Sequence, residues 1–202
     1  MRHQNSKKLF TYWNNLRGKR IAPDRREIEP SDIRDILGET FILELDQKYK
    51  NLSFRLAGTR LCNIYGRELK GIGFLSLWDE KDNMKVFKCV RGVFLDAKPS
   101  VVTYIGETEG KKEIRYEMLL LPLLNGPEHA SRILGVASPL ENHFWIGSDP
   151  IINNRLRFTR EIGNNQATDA PSLAPALDQV GSLENDSSKK FKHLTVIDGG
   201  IG

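Results

Sequence analysis

Long apolar runs are missing from this chain. The longest, Met118 to Leu124, is seven residues and contains Pro122. A membrane-spanning helix needs about 20, so no membrane partner is expected. The first ten residues, MRHQNSKKLF, lack the apolar stretch of a secretory signal, and the expected location is the cytoplasm. Cysteine is scarce: Cys62 and Cys89 occur without a CxxC. Two thiols form at most one bridge, and a reducing compartment keeps both free. Four scattered histidines (His3, His129, His143, His193) show no zinc-type spacing, so no metal site is expected. Catalytic signatures are missing as well. GxSxG, GxxxxGK[ST], HExxH and GxGxxG are absent, and Gly71 with Gly73 gives only GxG. The chain is therefore not expected to be an enzyme.

What is present is one domain and an appendage in 202 residues. Hydrophobic residues make up 39% and charged residues 28%, with a net charge of +4. That excess is too mild to indicate a nucleic-acid partner by itself. Composition shifts after Ile162. Residues 163–202 are rich in Asn, Asp, Ser, Pro and Gly, with Phe191 as the one aromatic. Such a segment buries too little apolar surface to offset its ordering entropy, and it reads as a disordered tail. Its apolar patch of Phe191, Leu194, Val196 and Ile197 is either inert or a short docking strand.

Residues 1–162 carry clear periodicity. Leu9, Phe10, Trp13 and Leu16 share one stripe of a helix from Ser6 to Arg17, with Ser6 as N-cap and Gly18 beyond its C-terminus. An extended connection to residue 30 follows. Its Arg17, Lys19, Arg20, Arg25 and Arg26 read as a solvated linker paired with Asp24, Glu27 and Glu29, more than as a site for an acidic partner. SDIRDIL from Ser31 reads as a short helix ended by Gly38. Thr40–Asp46 and Leu52–Ala57 form a hairpin. A short helix covers Arg60–Tyr65, and a second short turn covers Glu68–Leu69. A longer helix covers Glu80–Leu95, with Met84, Phe87, Val90 and Phe94 as its core stripe. Three strands follow: Val101–Glu107, Glu113–Leu121 and Arg132–Ser138. The second alternates Ile114, Tyr116 and Met118 against Arg115 and Glu117. The expected fold is α+β: a five-stranded antiparallel sheet with short helices on one face. The expected divisions are 1–30, 31–162 and 163–202.

That order of elements, with FRLAGTRLCNIYGRELKGIGFLSLW at residues 54–78, resembles a PAS domain. The words YWNNLRG (12–18), PDRREIEPSDI (23–33), FRLAGTRLC…YGREL and the late LLLPL are similar to those of short stand-alone PAS-like proteins common in alphaproteobacteria. The resemblance covers about residues 8–150. It implies a pocket between sheet and helices. By alternation and helix facing, its walls are Leu56, Tyr65, Phe74, Trp78, Phe87, Val90, Tyr104, Tyr116 and Met118, with Arg60 and Cys62 as polar contacts. The same residues serve equally as a packed core.

The cofactor, if any, is not identified by the sequence. Haem is not expected, because no histidine falls on a wall element. Flavin is not expected either. The flavin-binding version of the fold resembles GRNCRFLQ after the helix-joint glycine, whereas IGFLSLW follows Gly71 here. The N-terminal helix must bury Leu9, Phe10, Trp13 and Leu16 on its own sheet or on a partner or second copy; these four are the partner candidates, and a homodimer is one form. The reading is a sensory or signalling module that couples small-molecule or partner binding to protein contacts, with a kinase or another regulator as partner. The alternatives are a ligand-free adaptor and a small enzyme using the pocket.

Overall fold

The computed structural model describes residues 1–46, 51–124 and 132–163. The tail expected to be disordered lies outside these residues from position 164 onward. In chain order the elements are α1 (Gln4–Arg17), β1 (Thr40–Asp46), β2 (Asn51–Ala57), α2 (Thr59–Ile64), α3 (Glu80–Leu95), β3 (Ser100–Thr108), β4 (Glu113–Leu123), β5 (Arg132–Pro139) and β6 (Ile151–Glu161). Single 3-10 turns stand at Arg25–Glu27, Pro30–Ile33, Leu37–Glu39 and Phe74–Leu77. The helix expected from Ser31 is therefore a pair of 3-10 turns. Pro30 opens the first and fixes its φ, but the run is too short to propagate as α-helix.

The strands form one antiparallel sheet in the order β2-β1-β5-β4-β3-β6. The expectation of five strands is corrected to six. β6 was missed because its IINNRLRFTRE run is polar, and its register on β3 is broken between Thr103/Tyr104 and Glu107/Thr108. Its backbone is held from both sides. Beyond the β3 ladder, the Asp79 N–H donates to the Asn154 carbonyl at 2.8 Å. The Leu156 N–H donates to the Asp82 carboxylate of α3, also at 2.8 Å.

Alternation on the strands sends side chains to two separate cores. Phe41, Leu43, Phe54, Tyr104, Tyr116, Met118 and Leu120 meet α2, α3 and the turns between them. Ile42, Val101, Leu119, Leu121, Leu134 and Val136 meet α1 and the connection after it. Both faces of the sheet are thus covered, as a sheet with apolar residues on both faces requires.

α1 is docked on its own sheet. Leu9 and Trp13 are fully buried there, while Phe10 and Leu16 are half-buried against the same core. Of the four residues assigned to a partner surface, Leu9 and Trp13 are therefore corrected to intrachain core. Burying each such side chain contributes about 1.5–3 kcal/mol. Trp13 Nε1 donates to the Pro122 carbonyl at 2.8 Å. The N-cap is His3, whose Nδ1 accepts from the Asn5 N–H at 3.1 Å. Ser6, expected in that role, is one turn inside the helix and buried.

The first turn of α1 carries no acidic residue, and the sheet side supplies the negative charge instead. Glu117 of β4 accepts the N–H groups of Arg2 (2.7 Å) and His3 (3.0 Å). Burial raises its pKa, but those two donors and the nearby N-terminal ammonium win, so the carboxyl lies below its usual range. Strand alternation had put Glu117 on a solvent face; that face is the one α1 covers. Beyond the helix, Arg20 grips Glu27 at 2.7 Å and Arg26 pairs with Asp24 at 3.0 Å. Arg20 and Arg26 are thus paired as expected, and the connection is stitched to the residue after β4 by Arg25 N–H to Leu124 carbonyl (2.9 Å) and Leu124 N–H to Pro23 carbonyl (3.0 Å).

Candidate functional site

The space between the sheet and α2–α3 is filled by a row of aromatic rings. Phe41 meets Phe54 at a centroid distance of 5.6 Å, Phe54 meets Phe74 at 5.6 Å, and Phe74 meets Trp78 at 5.8 Å. Trp78 meets Tyr104 at 5.1 Å, and Tyr104 stacks on Tyr116 at 5.2 Å and 14°. Local structure sets this row. Tyr104 and Tyr116 are direct cross-strand partners on β3 and β4, the closest arrangement a sheet offers. Phe74 and Trp78 are delivered by the 3-10 turn after Gly71, whose φ of +81° closes the preceding loop.

The row changes character along its length. Its phenylalanine end is dry. Its other end carries Trp78 Nε1, Tyr116 OH and Asn154 Oδ1, all buried and without a hydrogen-bonding partner, beside the Tyr104 hydroxyl, which lies against the Tyr65 phenol. Tyr65, at the end of α2, anchors the group, its hydroxyl accepting from Asn154 Nδ2 at 2.9 Å. Burial pushes the Tyr65 phenol up, only partly countered by hydrogen bonds with Asn154 and Tyr104. Burial pushes Tyr104 well above its usual range, helped by the neighbouring Tyr65 and Tyr116 phenols. It does the same to Tyr116, with Tyr65 and Glu39 adding to the shift. Three neutral phenols therefore persist here at any ordinary pH.

Of the wall residues named from sequence, Tyr65, Phe74, Trp78, Val90, Tyr104, Tyr116 and Met118 all lie in this core. Leu56 does not. The β1–β2 register skips Arg55, pairing Leu43 with Phe54 but Ile42 with Leu56. The bulge reverses the alternation, and Leu56 points outward at 46% exposure. Phe87 is corrected as well. α3 turns Asp82, Val86, Val90, Val93 and Phe94 inward, which leaves Phe87 half-buried outside the core and Met84 exposed.

Of the two polar candidates, Arg60 faces away from this core and Cys62 packs at its margin. Arg60 is exposed and pairs with Glu39 at 3.2 Å. The Cys62 thiol donates toward Glu68 Oε1 at 3.6 Å and the Ala57 carbonyl at 4.0 Å, and burial raises its pKa. Among the described residues, no group of three His, Cys, Asp or Glu side chains is placed to hold a metal ion. Asn154 is the site residue that sequence reasoning missed. The available signal was an amide within an otherwise strand-compatible run, and it carried no weight without the strand itself.

Solved structures similar to this chain include one described as a flavin-analogue study of a light-oxygen-voltage domain, with 13% identity, TM-score 0.44, and coverage of 55% of this chain and 84% of that one. The Rhodobacter sphaeroides LOV protein has 12% identity, TM-score 0.43, and coverage of 58% and 71%. The PAS domain of an HTR-like protein from Haloarcula marismortui has 19% identity, TM-score 0.38, and coverage of 57% and 96%. Similarity at this level says nothing about a ligand. No curated protein matches the sequence. The family described as PAS domain matches residues 1–138, two thirds of the chain, and the chain belongs to the PAS domain family.

Proposed function

We propose that this protein is a sensory and signalling module in which a small molecule, received between the sheet and α2–α3, changes contacts made with a regulatory protein. One observation carries the reading: polar atoms on Trp78, Tyr116 and Asn154 are sealed in an apolar layer with no partner. Each unmade bond of this kind costs about 1–3 kcal/mol. An interior that keeps several of them side by side is built to have them satisfied by something else. Ligand binding then acts by population shift, stabilising one arrangement of α2 and the Phe74–Leu77 turn over another.

Native mass spectrometry of the full chain tests this. A non-covalent mass that copurifies, or is gained from a metabolite mixture, is the expected result. A chain that stays bare throughout removes the sensory half of the proposal.

The second reading, a ligand-free adaptor, draws support from a different observation. Phe144 is 96% exposed, and Ile152 and Phe158 are exposed on β6. Apolar side chains in water favour a protein contact that covers them. Capture of the same regulatory partner by wild type and by Tyr116→Phe, but not by Phe144→Asp, favours the adaptor.

A further inference from the structure

β6 is the last strand of the sheet, and it begins beyond residue 138, where the match to the family ends. The first half of its outer edge is sealed. The Asn154 carbonyl accepts the Asp79 N–H and the Leu156 N–H donates to the Asp82 carboxylate, both at 2.8 Å. The second half, Arg157 to Glu161, is exposed at every residue. We infer that this second half pairs antiparallel with the same five residues of a second copy, joining two sheets edge to edge about Thr159.

The backbone sets the side on which pairing occurs. The Ile162 N–H donates to the Pro99 carbonyl at 2.7 Å, so the backbone of Ile162 faces β3. Alternation turns Arg160 and Phe158 the same way and points the N–H and C=O groups of Thr159 and Glu161 away from the sheet. Arg157 is the residue that the β3 register skips, because Thr103 pairs with Phe158 and Tyr104 with Leu156. An outward row of this kind is a template for another strand. A two-fold axis at Thr159 lets the two threonines exchange both of their hydrogen bonds.

The side chains set the partner and the register. RFTRE, laid antiparallel on itself about Thr159, places Arg157 opposite Glu161 of the copy and Phe158 opposite Arg160. Opposite charges and an arginine beside an aromatic ring both favour a cross-strand pair. Among the described residues, Arg157 and Arg160 form no ion pair of their own, whereas Arg155 holds Glu107 and Glu113. Glu161 meets Lys98 through Oε2 at 3.4 Å, which leaves Oε1 to the copy. Other registers are worse. Centring on Arg160 opposes like charges, and centring on Phe158 calls on Leu156, whose N–H Asp82 already holds. A parallel pairing in register sets each arginine against itself.

Five residues a side make a small interface, so the dimer is expected to be weak. Sedimentation velocity of the full chain between about 10 and 500 μM tests it. The dimer fraction is expected to rise with concentration and to fall with salt. Arg157→Glu and Glu161→Arg are each expected to weaken association at least about tenfold, since every contact is made twice. The double variant restores opposite charges across the axis and is expected to recover the dimer. An unchanged unfolding midpoint of the dilute variants separates lost pairing from lost folding.

A chain that stays monomeric at every concentration overturns the inference. So does a dimer indifferent to both single variants, or one that the double variant fails to restore. Hydrogen exchange at the Thr159 and Glu161 amides reads the edge itself. Protection that rises with concentration is the expected result. Protection independent of concentration assigns the edge to another part of the same chain and removes the second copy.

Discussion

Asn5, in the first turn of α1, donates its side-chain amide to the Glu39 carboxylate at 2.6 Å. Glu39 also accepts from Ser138 of β5 and pairs with Arg60 of α2. One buried carboxylate therefore joins the helix on one face of the sheet to a helix of the layer on the other. Asn5→Ala leaves Glu39 short of a donor and should cost about 1–2 kcal/mol in denaturant unfolding. It should also speed amide exchange in α1 more than in α3. Equal protection of both helices would show that Glu39 is not what holds α1.

Trp13 tests the docking of α1 directly. Trp13→Ala removes a fully buried ring and should destabilise the chain by about 3–5 kcal/mol. Trp13→Phe keeps most of the apolar contact but strands the Pro122 carbonyl, which Nε1 reaches at 2.8 Å. It should cost less, about 1–3 kcal/mol. A loss below 1 kcal/mol for the alanine variant would mean the helix is not part of the folded core.

The β2 bulge makes neighbouring apolar residues unequal. Leu56→Ala, on the outward side, should change stability by no more than about 0.5 kcal/mol. Phe54→Ala, two residues earlier, should cost about 3–5 kcal/mol. Comparable losses at the two sites would contradict the register.

Gly135→Ala should destabilise by about 1–3 kcal/mol or more, because the new methyl falls on the Phe41 ring at 2.1 Å. A joint Gly135→Ala/Phe41→Leu variant should recover part of that loss. A neutral single variant would show slack beneath Phe41.

Alkaline pH should unfold this protein early. The phenols of Tyr65, Tyr104 and Tyr116 are all raised from 10.0 in the fold, and burial pushes the Cys89 thiol up to about 11. In the unfolded chain the phenols ionise near 10 while the folded chain keeps them protonated. Their contribution is thus complete below pH 10 and falls as pH rises beyond it. Each raised phenol steepens the loss by about 1.4 kcal/mol per pH unit. Denaturant titrations between pH 9 and 11.5 should show a shallower decline for Tyr104→Phe than for wild type. Parallel curves would place the phenol in water.

The sequence carried the parts of this fold that repeat. The α1 stripe at Leu9, Trp13 and Leu16 and the alternation of Ile114, Tyr116 and Met118 name their own periods, and the structure follows them. Elsewhere two readings fitted equally, and distant contacts chose between them. On α3 both Met84–Phe87 and Val86–Val90–Val93 have helical spacing, and the inward choice is the one that brings Asp82 to the Leu156 N–H. β6 has little pattern of its own and exists as a strand because β3 lends it a ladder. The cluster at Tyr104 was half-visible for that reason. Its tyrosines come from a patterned hairpin, while Asn154 comes from the strand that tertiary pairing creates. The roles of Glu39 and Glu117 had no local signal, because their partners Asn5, Arg2 and His3 are 34, 115 and 114 positions away.

The double covering of the sheet also sets what detachment of its outer helix would release. Peeling α1 away bares Ile42, Leu119, Leu121, Leu134 and Val136 together, a continuous oily plate where a charged, hydrated coat stood before. With Leu9 and Trp13 seated, the N-terminal segment keeps that plate out of water.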